Sequence, residues 1–150
     1  MQAIRCILVV IYPKLSENLA LKRARLISSV SQSRLHLLIC DAKQDHSSYL
    51  ERLRQELGDQ GHVVTAKQAW HENLHQTIIS VQQAEGCGLV IKQHIADNPL
   101  KRALLTPDDW KLLRYCPCPV LMVKTEAPWT GGNILAAVDV GNADIEHRTL

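Results

Sequence analysis

The hydrophobic and polar positions along this chain follow two kinds of pattern. Short runs of apolar and β-branched residues, typical of buried strands, occur at residues 6–11, 35–40, 63–69, 89–91 and 120–123. Between them, apolar residues recur every three or four positions, as on one face of a helix, at residues 15–31, 49–60, 73–85 and 106–116. Because strands and helices alternate, we predict an α/β fold with right-handed crossovers, a parallel sheet and helices on both of its faces.

The last of these helices has the clearest local signals. Thr106 is a candidate N-cap, and Pro107 suits the first helical position because an amide hydrogen is not needed there. Two aspartates follow and complement the positive end of the helix dipole. We expect Trp110 to lie on the apolar face of this helix, and a short turn of helix to precede it at residues 100–105.

Composition excludes several classes of protein. The chain has 150 residues, 46% of them hydrophobic and 21% charged, which is enough for one domain with a core. A net charge of +2 is too small to indicate nucleic acid, and no apolar run approaches the roughly 20 residues of a membrane helix. The five cysteines are scattered through apolar segments, which favours buried, reduced thiols. We therefore expect a cytoplasmic protein that binds neither nucleic acid nor membrane.

The chain contains the beginning of a repeat. A linker rich in Pro and Gly, EAPWTGG, occupies residues 126–132, and the segment after it, NILAAVD, repeats the pattern of the first strand, CILVVIY. A repeat of this length indicates a duplicated domain. We predict a complete domain at residues 1–125, and the first strand and helix start of a truncated second domain at residues 133–150.

Two short motifs resemble metal or redox sites. His71, Glu72 and His75 fit H-E-x-x-H, which on a helix would place two imidazoles on one face to bind zinc. The apolar stripe of the following helix instead suggests that His71 lies in the preceding loop. Cys116 and Cys118 lack the C-x-x-C redox spacing, and we expect two buried thiols there. We predict no catalytic residue and no metal site.

The segment DWKLLRYCPCPVLMVK at residues 109–124 carries a resemblance. Preceded by a strand ending at Lys92, and followed by a linker and ILAAVDVGN, it resembles the universal stress protein family, and within it the tandem-domain members of the E type. The resemblance covers nearly the whole chain. It implies a five-stranded parallel sheet in the order 3-2-1-4-5, in a Rossmann-like fold of the adenine nucleotide alpha hydrolase type.

The resemblance also implies a partner for the last strand of the domain. In the family this strand pairs antiparallel with its counterpart in a second domain. Because the second domain is almost absent here, we expect an exposed apolar edge that pairs in a homodimer. Residues 134–138 would add a further strand to that dimer. The predicted dimer strand consists of Val120, Leu121, Met122 and Val123.

The resemblance raises the question of whether this chain binds a nucleotide. ATP-binding members of the family carry an Asp after the first strand, a Gly-x-x-Gly loop after the fourth, and a Gly-Ser or Gly-Thr pair that opens the last helix. The candidate nucleotide-binding residues of this chain are therefore Tyr12, Lys92, His94 and Thr106. None of them restores the glycine loop or the acid. The proline that follows Thr106 removes an amide donor, and the two aspartates after it repel phosphate. We expect no ATP cofactor, with Lys92 and His94 in a solvated basic loop.

These observations predict a non-enzymatic universal stress protein. It would act in the stress response through dimerisation and unknown protein partners, without ATP. A nucleotide-binding stress regulator is one alternative, because the basic residues at positions 92 and 94 could attract an anion. A zinc-dependent hydrolase that uses the H-E-x-x-H motif is the other.

Overall fold

The computed structural model of the chain describes residues 4–95, 105–123 and 134–138. The strands in these ranges are β1 (Cys6–Val10), β2 (Arg34–Cys40), β3 (Val64–Ala69), β4 (Leu89–Gln93), β5 (Val120–Val123) and β6 (Ile134–Val138). The helices are α1 (Leu19–Ser31), α2 (Ser47–Asp59), α3 (Leu74–Glu85) and α4 (Pro107–Tyr115). The sheet has the order β3-β2-β1-β4-β5-β6, and its first five members are parallel. The predicted α/β fold and the order 3-2-1-4-5 are confirmed.

The core consists of two layers, one on each face of the sheet. Along β1, Ile7 and Val9 point toward α1 and α2, whereas Leu8 and Val10 point toward α3 and α4. Both faces are therefore covered, which explains why the strands are continuous apolar runs. Among the described residues, no helix combines the length and the apolar content needed to cross a membrane.

Two helical predictions differ from the structure. Helix α1 begins four residues later than residue 15, because the Asn18 side chain binds both the amide and the carbonyl of Tyr12 and keeps the intervening residues in a turn. The prediction for Trp110 is wrong: its side chain is 55% exposed, and the next turn of α4 supplies the buried residues. The predicted turn of helix at residues 100–105 lies, except for Leu105, outside the described residues, as do the linker at 126–132 and residues 139–150.

Helix α4 begins with the predicted cap. The Thr106 hydroxyl accepts a hydrogen bond from the Asp109 amide at 3.1 Å, and the Asp109 carboxylate accepts one from the Thr106 amide at 3.3 Å. This reciprocal pair is a capping box, and it satisfies two amides at the start of the helix. The cap therefore also fixes where the Asp109 carboxylate lies.

Removing the Thr106 hydroxyl should cost about 1 kcal/mol of the free energy of unfolding, because the Asp109 amide then has no partner. Urea denaturation of Thr106→Ala measures this loss. The matched variant Thr106→Ser keeps the hydroxyl and should unfold close to the wild-type midpoint. Equal loss in both variants would show that packing of the Thr106 methyl group, and not the cap, is responsible.

The outer edge of β5 is paired, contrary to the expected exposed edge. Strand β6 runs antiparallel along it, with Val120 opposite Val138 and Met122 opposite Ala136. The edge amides and carbonyls of β5 need partners, and β6 of the same chain supplies them. The expectation of an unpaired edge is therefore wrong, whereas the homodimer itself stays a prediction.

Candidate functional site

The candidate nucleotide-binding residues meet at the carboxyl ends of β1 and β4. The chain order reverses between these two strands, and open α/β sheets bind ligands in the crevice at such a point. Tyr12 follows β1, Lys92 lies in β4, His94 follows β4, and Thr106 precedes α4. The Lys92 Nζ atom is 5.7 Å from the centroid of the Tyr12 ring. The structure thus brings all four residues together.

Asp109 joins these residues, although the sequence indicated only that its charge would complement the helix dipole and repel phosphate. Its Oδ1 atom is 2.8 Å from Lys92 Nζ, and its Oδ2 atom is 3.3 Å from His94 Nδ1. The relative exposures of Lys92, His94 and Asp109 are 3%, 1% and 1%. The available signal was the position of Asp109 in the capping box, which turns its carboxylate back toward the start of α4.

The pKa values at this site are consistent with a charged pair. Burial favours the neutral form of the Asp109 carboxyl, but Lys92, His94 and the Thr106 amide together outweigh burial, so the pKa of Asp109 lies below its ordinary value. Burial likewise opposes the Lys92 ammonium, but Tyr12 and Asp109 outweigh it, and the pKa of Lys92 lies above its ordinary value. Burial raises the pKa of the Tyr12 hydroxyl, which stays protonated. We call Tyr12, Lys92, His94 and Asp109 the buried ion cluster.

The predicted solvated basic loop is therefore wrong for Lys92 and His94. Strand β4 extends two residues further than expected and carries Lys92 into the interior. The charge of Lys92 is not available at the surface to attract an anion, because Asp109 already neutralises it.

Two polar side chains near these strand ends bind backbone amides of the same chain. The Gln93 Oε1 atom accepts a hydrogen bond from the Leu19 amide at 3.0 Å, at the first position of α1. The Asn18 Oδ1 atom accepts one from the Tyr12 amide at 2.9 Å. Amides at a helix start are the groups that bind phosphate in nucleotide sites. Here the Leu19 amide at the start of α1 is already bonded to the Gln93 side chain.

A cleft of about 180 Å³ lies beside the buried ion cluster, between the carboxyl ends of β1 and β2. We call it the β1–β2 cleft; its lining includes Tyr12, Pro13, Ile39, Cys40, Asp41 and His46. The His46 Nε2 atom is 2.7 Å from Asp41 Oδ2, which holds the loop after β2 in place. Burial raises the pKa of the Cys40 thiol to about 12, so this thiol is a poor nucleophile at neutral pH.

The H-E-x-x-H residues do not share a helical face. His71 lies in the turn before α3, where it bridges to Asn73, and Glu72 has a left-handed backbone with φ of 58°. The predicted position of His71 in the preceding loop is confirmed. His75 is buried, and its Nδ1 atom is 2.7 Å from Asp108 Oδ1. Within the described ranges, no group of three or more His, Cys, Asp or Glu side chains is arranged to bind a metal ion.

The C-P-C segment contains two buried thiols, as predicted. The Sγ atoms of Cys116 and Cys118 lie 3.8 Å apart, between the end of α4 and the start of β5. Their packing in the core with residues of α3 and α4 is sufficient to explain their presence.

Comparison with known proteins agrees with this architecture. Universal stress protein E of Escherichia coli is 38% identical over 88 residues, which cover 58% of this chain and 28% of that protein. A candidate universal stress protein from Pseudomonas aeruginosa, solved by crystallography, is 66% identical with a TM-score of 0.82. The match covers 87% of this chain and 47% of that one. A universal stress protein solved in complex with cAMP has a TM-score of 0.67 at 16% identity, over 83% of this chain and 100% of that one.

The chain thus spans less than half the length of the Escherichia coli and Pseudomonas aeruginosa proteins. The model of the universal stress protein family nevertheless matches residues 7–124, which include β1 to β5 and α1 to α4. Sequence match and strand order agree over this range, and the chain belongs to the universal stress protein family.

Proposed function

We propose that this chain is a cytoplasmic, non-enzymatic stress-response protein that acts through dimerisation and protein partners, without ATP. The observation that carries the proposal is the buried ion cluster at the carboxyl ends of β1 and β4. Family membership supports the stress-response role. The absence of ATP is an inference from the Lys92–Asp109 pair and from the hydrogen bond between Gln93 and the Leu19 amide.

The Lys92–Asp109 pair makes a triphosphate unfavourable at this point. A phosphate drawn to Lys92 would have to lie near the Asp109 carboxylate, which is 2.8 Å from the same ammonium. Both negative groups would be desolvated, and repulsion between them is strong where the effective dielectric constant is low. A phosphate that displaced the Asp109 carboxylate from Lys92 would also break the hydrogen bond between that carboxylate and the Thr106 amide, which is one half of the cap of α4.

A second candidate function rests on the β1–β2 cleft. The cleft adjoins the buried ion cluster but does not require Lys92 or Asp109 to move, and its lining is mostly apolar with a few polar groups. A solved universal stress protein of the same fold was obtained in complex with cAMP. We infer that, if a nucleotide binds this chain, the base occupies this cleft and no triphosphate contacts Lys92.

Isothermal calorimetry tests both proposals. We expect titration with ATP and Mg²⁺ to give no saturable micromolar binding, whereas saturable micromolar binding would overturn the main proposal. Adenosine and cAMP are titrated in parallel, and binding of these ligands without a gain from the triphosphate would support the second candidate.

The variant Tyr12→Asp restores the acid of ATP-binding relatives, and it should still fail to bind ATP because the Lys92–Asp109 pair remains.

The proposed homodimer has to compete with β6. Strand β5 offers one outer edge, and β6 of the same chain occupies it. A second copy can therefore pair through β5 only when β6 leaves. We propose that the β5 edge exchanges between these two partners, so that dimerisation depends on protein concentration.

A further inference from the structure

Two thiols face each other near the amino ends of β1 and β4, whereas the buried ion cluster lies at the carboxyl ends of these strands. Cys6 begins β1, Cys87 lies in the turn between α3 and β4, and their Sγ atoms are 2.7 Å apart. The backbone holds both residues in place: the Gly88 amide donates to the Cys6 carbonyl at 3.0 Å, and the Gln82 side chain donates to the Cys87 carbonyl at 2.8 Å. The two sulfur atoms are therefore set against each other by separate elements of the fold.

The same charged groups, Arg34 and Glu85, act on both thiols. Cys6 is in register with Arg34 on β2, whose guanidinium lies 2.8 Å from the Thr65 hydroxyl and 3.4 Å from the Glu85 carboxylate. The hydrogen bond between the two sulfur atoms lowers the pKa of the Cys6 thiol; burial and Glu85 oppose this, and Arg34 adds to it. The same hydrogen bond and burial raise the pKa of Cys87. Once either thiol is deprotonated, the other can donate a hydrogen bond to its thiolate.

The other cysteines lack this arrangement. Cys116 and Cys118 are separated by a single residue in the chain, and their sulfur atoms are 3.8 Å apart. Cys40 lies at the far end of β2, and its pKa is raised to about 12. Cys40, Cys116 and Cys118 therefore serve as internal controls for the Cys6–Cys87 pair.

We propose that Cys6 and Cys87 form an oxidisable dithiol, which a small peroxide converts into a disulfide that ties the start of β1 to the α3–β4 turn. The thiolate of one cysteine attacks one oxygen of the peroxide and breaks the O–O bond. It becomes a sulfenic acid, while the second oxygen takes up the proton that this thiol has lost and leaves as water or an alcohol. The sulfur of the other cysteine then displaces the sulfenic hydroxyl, which leaves as water with the proton of that second thiol. Two electrons pass from the two thiols to the peroxide, and a dithiol reductant reverses the change.

Burial sets the conditions of the reaction. Cys6 and Cys87 are 3% and 2% exposed, so only a small oxidant reaches them and the reaction is slower than at a surface thiol. The two residues are 81 positions apart in the chain. A cross-link that closes so long a loop restricts the unfolded chain, and we expect it to raise the thermal midpoint by roughly 10 °C.

The test is oxidation of the full chain with hydrogen peroxide, followed by alkylation, intact mass measurement and peptide mapping without reductant. We expect two of the five thiols to be lost, one intramolecular link between the peptides of Cys6 and Cys87, and reversal by dithiothreitol. A link between any other pair, or five thiols that still react after oxidation and unfolding, would overturn the proposal.

Variants test whether the link needs both thiols. In Cys87→Ala, we expect no intramolecular link, and Cys6 should stop at a sulfenic acid that dimedone traps. The matched control Cys116→Ala removes an equally buried thiol of the same core layer and should still form the Cys6–Cys87 link. Loss of the link in Cys116→Ala would contradict the assignment. If Cys87→Ala does not fold, the peptide map of the wild-type chain decides alone.

Discussion

Replacing Asp109 with Asn should lower the free energy of unfolding by about 3–5 kcal/mol. The substitution keeps the shape of the side chain and an oxygen that can accept from the Thr106 amide, but it removes the charge 2.8 Å from Lys92 Nζ. Lys92 is 3% exposed and would keep an uncompensated charge in the interior. Urea denaturation, with the midpoint and the slope measured separately, gives the loss directly.

A double-mutant cycle shows whether the charge pair is responsible. Replacing a buried pair by neutral groups of similar size is often close to neutral, so Lys92→Met combined with Asp109→Asn should be more stable than Asp109→Asn alone. The control is Glu17→Gln, which removes a surface pair with Lys22 whose side chains are 55% and 60% exposed, and which should not shift the midpoint measurably. If the double variant is less stable than Asp109→Asn, the two charges are not coupled as proposed.

The same pair predicts how stability depends on pH. The pKa of Asp109 is lower in the folded state than its ordinary value of 3.8, so its contribution is complete above pH 3.8 and is lost as pH falls through the folded pKa. The pKa of Lys92 is above its ordinary value of 10.5, so its contribution is complete below pH 10.5 and is lost as pH rises through the folded pKa. Asp109→Asn should therefore flatten the acid side of the stability curve, which thermal unfolding between pH 2 and 7 would detect.

Preventing β6 from pairing should convert the chain into a tighter dimer. In the observed register, Ala136 lies opposite Met122 and Ala137 opposite Leu121. Proline at both positions removes two consecutive amide hydrogens, at least one of which faces β5. With its competitor removed, β5 should pair with a second copy at roughly tenfold lower concentration than in the wild type. Sedimentation velocity over a concentration series measures this shift from a monomer of 16.8 kDa.

The control for this experiment keeps the same two positions. Ala136→Ser combined with Ala137→Ser retains both amide hydrogens, so β6 should still pair and the chain should behave like the wild type. A proline variant that remains monomeric at high micromolar concentration would contradict the proposed homodimer. Dimerisation of the serine variant to the same extent would show that β6 does not compete for the β5 edge.

Local patterns were sufficient to locate the strands and helices, the cap at Thr106 and His71, but not the start of α1 or the end of β4. Each of these depends on residues within one or two turns of the chain, where periodicity and capping rules apply. The strand order came instead from the family resemblance, because no local pattern specifies which strands become neighbours. The same resemblance directed attention to Tyr12, Lys92, His94 and Thr106.

Only the packed fold shows which of these residues contact one another. The contact between Lys92 and Asp109 joins positions 17 residues apart, and whether a lysine is solvated or buried depends on the length of β4 and on where α4 lies. Cys6 and Cys87 likewise meet because β1 and β4 are adjacent in the sheet. Burial, pairing of charges and proximity of thiols are properties of three-dimensional neighbours. The sequence pattern can therefore identify the residues of these sites, but it cannot show which of them face one another.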